Sequence, residues 1–214
     1  MRLFLASQDF GNHADRLREL VGENRKVLVI FNQRDYETPE TRKEVVERKR
    51  QLFTENGFEF SELDLRDYFG KKESLAKFID EYRPGLIAAT GGNTYLLKSA
   101  YNQSGFAEIL AKDLADDKYV YSGHSAGAMA VTPDYNFYAR GDFPNQVTEI
   151  YGLEPDWEGL KLVEEYIIPH VDTDWHGEIS EERIGQLEKA GKPFVALRDS
   201  DVYVIDGERK EVLK

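Results

Sequence analysis

The 214-residue chain contains no cysteine, an absence that removes disulfides, thiolate metal sites and a cysteine nucleophile together. Covalent chemistry has to use another atom. Histidine is scarce, with four in all, so a reaction that needs an imidazole has few places to find one. Cations are outnumbered: 28 Lys and Arg against 40 Asp and Glu leave a formal charge of −12, and so acidic a surface repels phosphate backbones and anionic headgroups. Neither nucleic acid nor a membrane is expected as a partner. No stretch reaches the roughly 18 apolar residues of a membrane helix. The apolar N-terminal run gives way to Gln8 and Asp9, too soon for a signal-peptide core. A soluble, cytoplasmic protein is therefore expected. With 41% apolar residues, the chain has enough to build one α/β domain over residues 1–214.

Short apolar runs alternate with longer charged segments of helical period, the pattern of βα units and a mostly parallel sheet. Strand candidates are Leu3–Ala6, Lys26–Phe31, Phe58–Leu63, Gly85–Ala89, Lys118–Tyr121, Tyr166–Ile168, Phe194–Leu197 and Val202–Ile205. The run at Lys26–Phe31 is continuous rather than alternating, as in a strand covered on both faces, and is expected at the centre of the sheet. Thr38-Pro39 reads as the capped start of a helix running to about Asn56, and Asp206-Gly207 as the turn of a hairpin. Between Thr132 and Gly159 the chain is irregular and rich in Asp, Asn, Tyr, Gly and Pro, as functional loops often are. It is expected to close over a bound substrate.

Gly123-His124-Ser125-Ala126-Gly127 lies between a strand candidate and the helix-like Ala128–Val131. G-x-S-x-G in that setting is a nucleophile elbow, in which a sharp strand-to-helix turn exposes the serine hydroxyl. Small residues are needed because bulk two positions before or after the serine would meet neighbouring backbone. The next N–H, that of Ala126, then stands at a helix N-terminus where it can stabilise an oxyanion. A second glycine turn, Thr90-Gly91-Gly92-Asn93-Thr94, also follows a strand candidate. Open α/β sheets bind ligands at that edge, so Gly92 is a candidate for the second oxyanion donor.

A serine nucleophile needs a base, and elimination among His13, His124, His170 and His176 favours His170, which follows the apolar run Tyr166–Pro169 at a strand's carboxyl end. His176 is the second choice. For the carboxylate that orients the imidazole, Asp199 stands after the strand candidate Phe194–Leu197, with Asp142 and Asp134 as alternatives. His170 and His176 are six residues apart, a spacing that matches no standard zinc motif. No metal or other cofactor is expected.

The chain resembles peptidase family S51 through Gly91-Gly92-Asn93-Thr94, Gly123-His124-Ser125-Ala126-Gly127-Ala128, Ile168-Pro169-His170, and His176-Gly177-Glu178 followed by Arg183-Ile184. That resemblance implies a class I glutamine amidotransferase-like three-layer α/β sandwich with serine where relatives use cysteine. It also implies a metal-free serine peptidase acting on short peptides, including dipeptides with an N-terminal aspartate. In it Ser125, His170 and Asp199 would form the triad, Gly92 and Ala126 the oxyanion hole, and Asn93, His176 and Arg183 the substrate contacts. A small peptide is the expected partner, bound by a monomer or a homodimer. Two other readings stay open. An α/β-hydrolase esterase shares the elbow and fits if Asp142 is the acid, and a catalytically silent binding module could keep the fold.

Overall fold

A computed structural model describes residues 1–214. Its strands are β1 (Arg2–Ala6), β2 (Lys26–Ile30), β3 (Glu59–Leu63), β4 (Leu86–Ala89), β5 (Val120–His124), β6 (Tyr166–Ile168), β7 (Phe194–Ala196), β8 (Val202–Asp206) and β9 (Arg209–Leu213). The helices are α1 (Ala14–Val21), α2 (Pro39–Glu55), α3 (Lys72–Tyr82), α4 (Thr94–Ser104), α5 (Phe106–Ala115), the short α6 (Ala126–Met129), the kinked turn α7 (Ala139–Asp142), α8 (Gln146–Tyr151) and α9 (Gly177–Lys189).

Seven strands form one sheet in the order β3-β2-β4-β5-β1-β8-β9. The first five run parallel, while β8 joins β1 antiparallel and β9 turns back on β8 around Gly207. Alternate residues of each strand feed opposite faces, as the two-residue side-chain period requires. On one face Leu3, Leu5, Leu28 and Ile30 pack with Leu75, Leu97 and Phe106 from α3, α4 and α5. On the other Phe4, Ala6, Val27 and Val29 pack with Leu17, Val45, Val46 and Phe53 from α1 and α2. The result is a helix–sheet–helix sandwich.

Two expectations change. The continuous run at β2 does report burial on both faces, but β2 stands one place in from the edge strand β3, and the central strand is β5. Two-sided burial needs a helix layer above and below, and any interior strand of this sheet has both. Strands β6 and β7 are not in the main sheet at all. They pair parallel with each other, Ile168 opposite Ala196.

Helix α2 begins as its sequence suggests, with Thr38 in extended conformation, its hydroxyl accepting from the Thr41 N–H at 3.3 Å, and Pro39 in the first turn. Thr38→Ala is expected to lower stability by about 1 kcal/mol while Thr38→Asn keeps most of it, as read from urea unfolding.

Candidate active site

The register of the parallel strands places Ala6 opposite His124 and Ala89 opposite Gly123, so β1, β4 and β5 end together. The chain turns sharply there. Ser125 has φ 50° and ψ −115°, a conformation that costs a non-glycine residue about 1–3 kcal/mol and persists only where its surroundings fix it. The Ser125 N–H donates to the Ala6 carbonyl at 3.1 Å, and the Ser125 carbonyl accepts from the N–H groups of Ala128 and Met129 at 2.9 Å. The flanking glycines are required by space: a Cβ on Gly123 would stand 2.3 Å from the Gly127 backbone, and one on Gly127 2.3 Å from the Ala89 carbonyl oxygen.

Two residues from other parts of the chain complete a line with this hydroxyl. Because β6 and β7 run parallel and in register, the segments leaving them emerge side by side, and the Leu197 N–H donates to the Ile168 carbonyl at 2.9 Å. His170 Nε2 lies 3.0 Å from Ser125 Oγ, and His170 Nδ1 lies 2.7 Å from Asp199 Oδ1. With Nδ1–H donating to the carboxylate, Nε2 is left as the acceptor facing the hydroxyl, the arrangement in which an imidazole can take a proton from serine. His170 itself is in the left-handed region at φ 62°, held by its N–H donating to Ser7 Oγ at 2.7 Å and its carbonyl accepting from Thr173 Oγ1 at 2.9 Å. Burial pushes its pKa below the usual histidine value, partly opposed by Asp199.

The second glycine turn sits against the elbow, where a Cβ on Gly91 would come 3.3 Å from Ser125 Cβ. His124 explains its position. Its side chain leaves Ser125 and accepts from the Gly91 N–H at Nε2, at 3.0 Å, and burial holds its pKa well below the ordinary value, keeping that nitrogen free to accept. The Gly92 N–H is left uncommitted, like that of Ala126 at the start of α6. Gly92 has φ +154°, and a Cβ there would stand 2.5 Å from the Gln33 carbonyl oxygen.

Three candidate residues have other surroundings than the sequence suggested. Asp142 is 3% exposed and makes no bond to His170. Its Oδ1 accepts from the Thr94 N–H and hydroxyl at 2.9 and 2.7 Å, and its Oδ2 from Arg183 at 3.2 Å. The acid on His170 is Asp199, after the histidine in the chain, so the order Ser, acid, His of an α/β-hydrolase is not met. Arg183 is 2% exposed and donates to the carbonyls of Tyr138 and Arg140 as well as to Asp142. It is a buried tie for the loop and does not line the cleft. Asn93 caps α4 by accepting from the Leu96 N–H, and donates to the Phe143 carbonyl and Gln146 Oε1. Both N–H groups of its amide and its oxygen are engaged by protein.

The irregular segment is thus pinned at its middle to α4 and α9. It contributes Gly141 and Asp142 to a cleft of about 240 Å³ that is also lined by Ser125, His170, Gly91 and Gly92. His176 lines the cleft too, 3.3 Å from Arg183, and burial beside that guanidinium lowers its pKa to about 4. Trp175, 64% exposed, leans on His170 with ring centroids 4.4 Å apart. Most unexpected in so acidic a chain, Arg34, Arg48 and Lys49 share one wall of the cleft. Lys49 is buried and paired with Asp9, Arg34 is paired with Glu37, and Arg48 is exposed. Ser7 and these three cations carry no local sequence signal that separates them from ordinary strand and helix-surface residues.

Breaking the Asp142–Arg183 pair from one side leaves a buried, uncompensated guanidinium, so Asp142→Ala is expected to cost about 3–5 kcal/mol. Removing both charges together, Asp142→Asn with Arg183→Leu, should recover a large part of that loss. Urea unfolding of the single and double variants checks both.

The model of peptidase family S51 matches residues 6–213. A peptidase of Pasteurella multocida (strain Pm70), named as uncharacterized, is 29% identical over 170 residues, 79% of this chain and 76% of the relative. One from Listeria monocytogenes, also named as an uncharacterized peptidase, is 27% identical over 170 residues, covering 78% and 76%. Among solved structures, a Listeria monocytogenes protein provisionally described as peptidase E superposes with a TM-score of 0.80 at 20% identity, covering 100% of this chain and 98% of that one. A peptidase from an acI-B1 Actinobacterium gives 0.66 at 17%, covering 99% and 86%. The folds agree, with the seven-stranded, mostly parallel sheet of class I glutamine amidotransferases. With the family model spanning nearly its whole length, the chain belongs to peptidase family S51 and is a serine-type peptidase.

Proposed function

We propose that the protein hydrolyses short peptides through an acyl-enzyme on Ser125, with His170 as general base and Asp199 as the carboxylate that orients it. The observation that carries this reading is the unbroken line from Ser125 Oγ to His170 Nε2 at 3.0 Å and from His170 Nδ1 to Asp199 at 2.7 Å. His170 takes the hydroxyl proton as Ser125 Oγ attacks the peptide carbonyl carbon, and the Gly92 and Ala126 N–H groups receive the developing oxyanion. His170 then returns that proton to the leaving amine as the C–N bond breaks. Water, deprotonated by the same imidazole, releases the acyl group.

Two features bear on the substrate. The cleft, at about 240 Å³, is smaller than the ~300–1,000 Å³ typical of drug-sized ligands, and the pinned loop makes a fixed wall at Gly141 and Asp142. Both favour short peptides over folded proteins. Of the cations on the cleft wall, Arg48 is the one without a carboxylate partner and offers positive charge to a substrate carboxylate, which supports dipeptides carrying an acidic residue such as N-terminal aspartate. In this reading the charge comes from Arg48, because Arg183 is occupied by Asp142, Lys49 by Asp9 and Arg34 by Glu37.

A panel of Xaa-Leu dipeptides assayed with the wild type and Ser125→Ala tests nucleophile and specificity together. Hydrolysis is expected only in the wild type, fastest for acidic Xaa, with casein cut slowly or not at all. Equal rates on casein and dipeptides would overturn the size limit, and turnover by Ser125→Ala would overturn the mechanism. Arg48→Gln is expected to raise KM for Asp-Leu more than for Ala-Leu. Asp199→Asn should lower kcat by roughly 10⁴-fold, the scale seen when a serine hydrolase loses the carboxylate that sets its tautomer. Protonated His170 cannot accept the serine proton, so kcat/KM falls as pH drops through its pKa. Because burial depresses that pKa, the acid limb is expected below the ordinary value of about 6.5.

A further inference from the structure

Ser7 is completely buried at the exit of β1, the strand whose preceding residue, Ala6, holds the Ser125 N–H. Its hydroxyl makes two short bonds to residues far away in sequence. It accepts from the His170 backbone N–H at 2.7 Å and donates to Asp199 Oδ1 at 2.8 Å, and it lies 3.3 Å from His170 Nδ1. Its own N–H points toward the Asp201 carbonyl at 3.4 Å, in the turn that carries Asp199. Asp199 is otherwise 38% exposed on its side chain, and His170 is in a left-handed conformation that needs outside support.

We propose that Ser7 is a positioning residue that locks His170 and Asp199 into one unit. This rests on the triad reading above. A merely structural serine has to satisfy one orphaned N–H, that of His170, and nothing more. The second bond, to the oxygen of Asp199 that also receives His170 Nδ1–H, is what fixes the carboxylate relative to the ring. Without it, a partly exposed aspartate in the turn that follows the three-residue β7 is free to turn toward water. General-base catalysis is sensitive to such placement, and a shift of about 1 Å can cost about 10²-fold.

The hydroxyl also acts on charge. Held in place, Asp199 offsets part of the burial that lowers the His170 pKa, so a carboxylate released toward water leaves that pKa lower still. The other charged or titratable groups around His170 are Asp142, Arg183, His176 and His124, none of which hydrogen-bonds to Ser7. Their contribution stays fixed when Ser7 is changed.

The test compares Ser7→Thr with Ser7→Val, side chains of nearly equal shape that differ in the hydroxyl, so that packing effects cancel. The readout is the rate of covalent labelling by a fluorophosphonate probe between pH 5 and 9, which needs no knowledge of the peptide substrate. Ser7→Thr is expected to label within about threefold of the wild type. Ser7→Val should label about 10²-fold more slowly, with its acid limb moved to lower pH. Equal rates and equal acid limbs for the two would overturn the role of Ser7. If valine prevents a cooperative melt, Ser7→Ala, which adds no bulk, takes its place in the comparison under the same expectations. Failure of the wild type to label at all would instead overturn the Ser125–His170 reading on which the proposal stands.

Discussion

A single steric constraint governs the site: the chain must reverse direction within one residue at Ser125, and it does so between two glycines that leave no room for a β-carbon. Gly123 lies against the backbone of Gly127, and Gly127 against the carbonyl of Ala89, so the elbow is pressed into the end of β4 while the Ser125 N–H is tied to the end of β1. The strained backbone of Ser125 is stable only because both neighbouring strands are themselves immobile, with every β1 residue from Leu3 to Ala6 fully buried. Strain at the hydroxyl-bearing residue is carried by the best-packed part of the sheet. The same close approach brings Gly91 against Ser125 Cβ and lets His124 hold the Gly91 N–H, leaving two free N–H groups beside one hydroxyl.

Electrostatics divides the site into two regions with opposite character. Around Asp142 and Arg183 charge is buried and neutralised, an arrangement whose desolvation cost is offset by paired, hydrogen-bonded geometry and whose benefit is fixing a segment whose regular structure is limited to the kinked α7 and the six-residue α8. Along the α2 side of the cleft Arg34, Arg48 and Lys49 stand together in a protein whose net charge is −12, Arg34 and Lys49 held by Glu37 and Asp9 and Arg48 left without a carboxylate. An unpaired cation at the cleft of an acidic molecule focuses attraction for an anion on one spot while the remaining surface repels it. The acidity of the whole and the unpaired cation of the cleft therefore act in the same direction.

How much of this was legible in the sequence depends on the range of each interaction. The elbow is local, so Gly123, Ser125 and Gly127 announce both the turn and the reason for the glycines. His170 was reachable because only four histidines exist, and Asp199 because strand ends in open α/β sheets gather on one edge, although β6 and β7 turn out to form a separate pair rather than part of the main sheet. Ser7 was invisible. It sits in an apolar run that reads simply as a strand, and its partners are 163 and 192 residues away. Arg183 and Asn93 failed in the opposite way, since their place in recognisable motifs suggested contact with a ligand, whereas the fold spends them on Asp142 and on the loop. No local pattern reports whether a polar side chain will face a cleft or be consumed behind its wall.

That distinction bears on how the irregular segment can act. A loop with no regular structure reads as a flap, and flaps are held weakly so that they can open. Here the segment is held at several separate points: Asp142 to α4 and α9, Phe143 and Gln146 to Asn93, Tyr151 to Asp35, and Asp134 to Tyr166 of β6. Opening it would break the buried Asp142–Arg183 pair and expose the donors of Asn93 and Thr94 together, a concerted loss far larger than the release of an ordinary surface loop. The cleft boundary it forms is accordingly set by the fold. Whatever adjustment substrate entry needs falls to rim side chains without such ties, among them Trp175, whose ring leans on His170 from a largely exposed position.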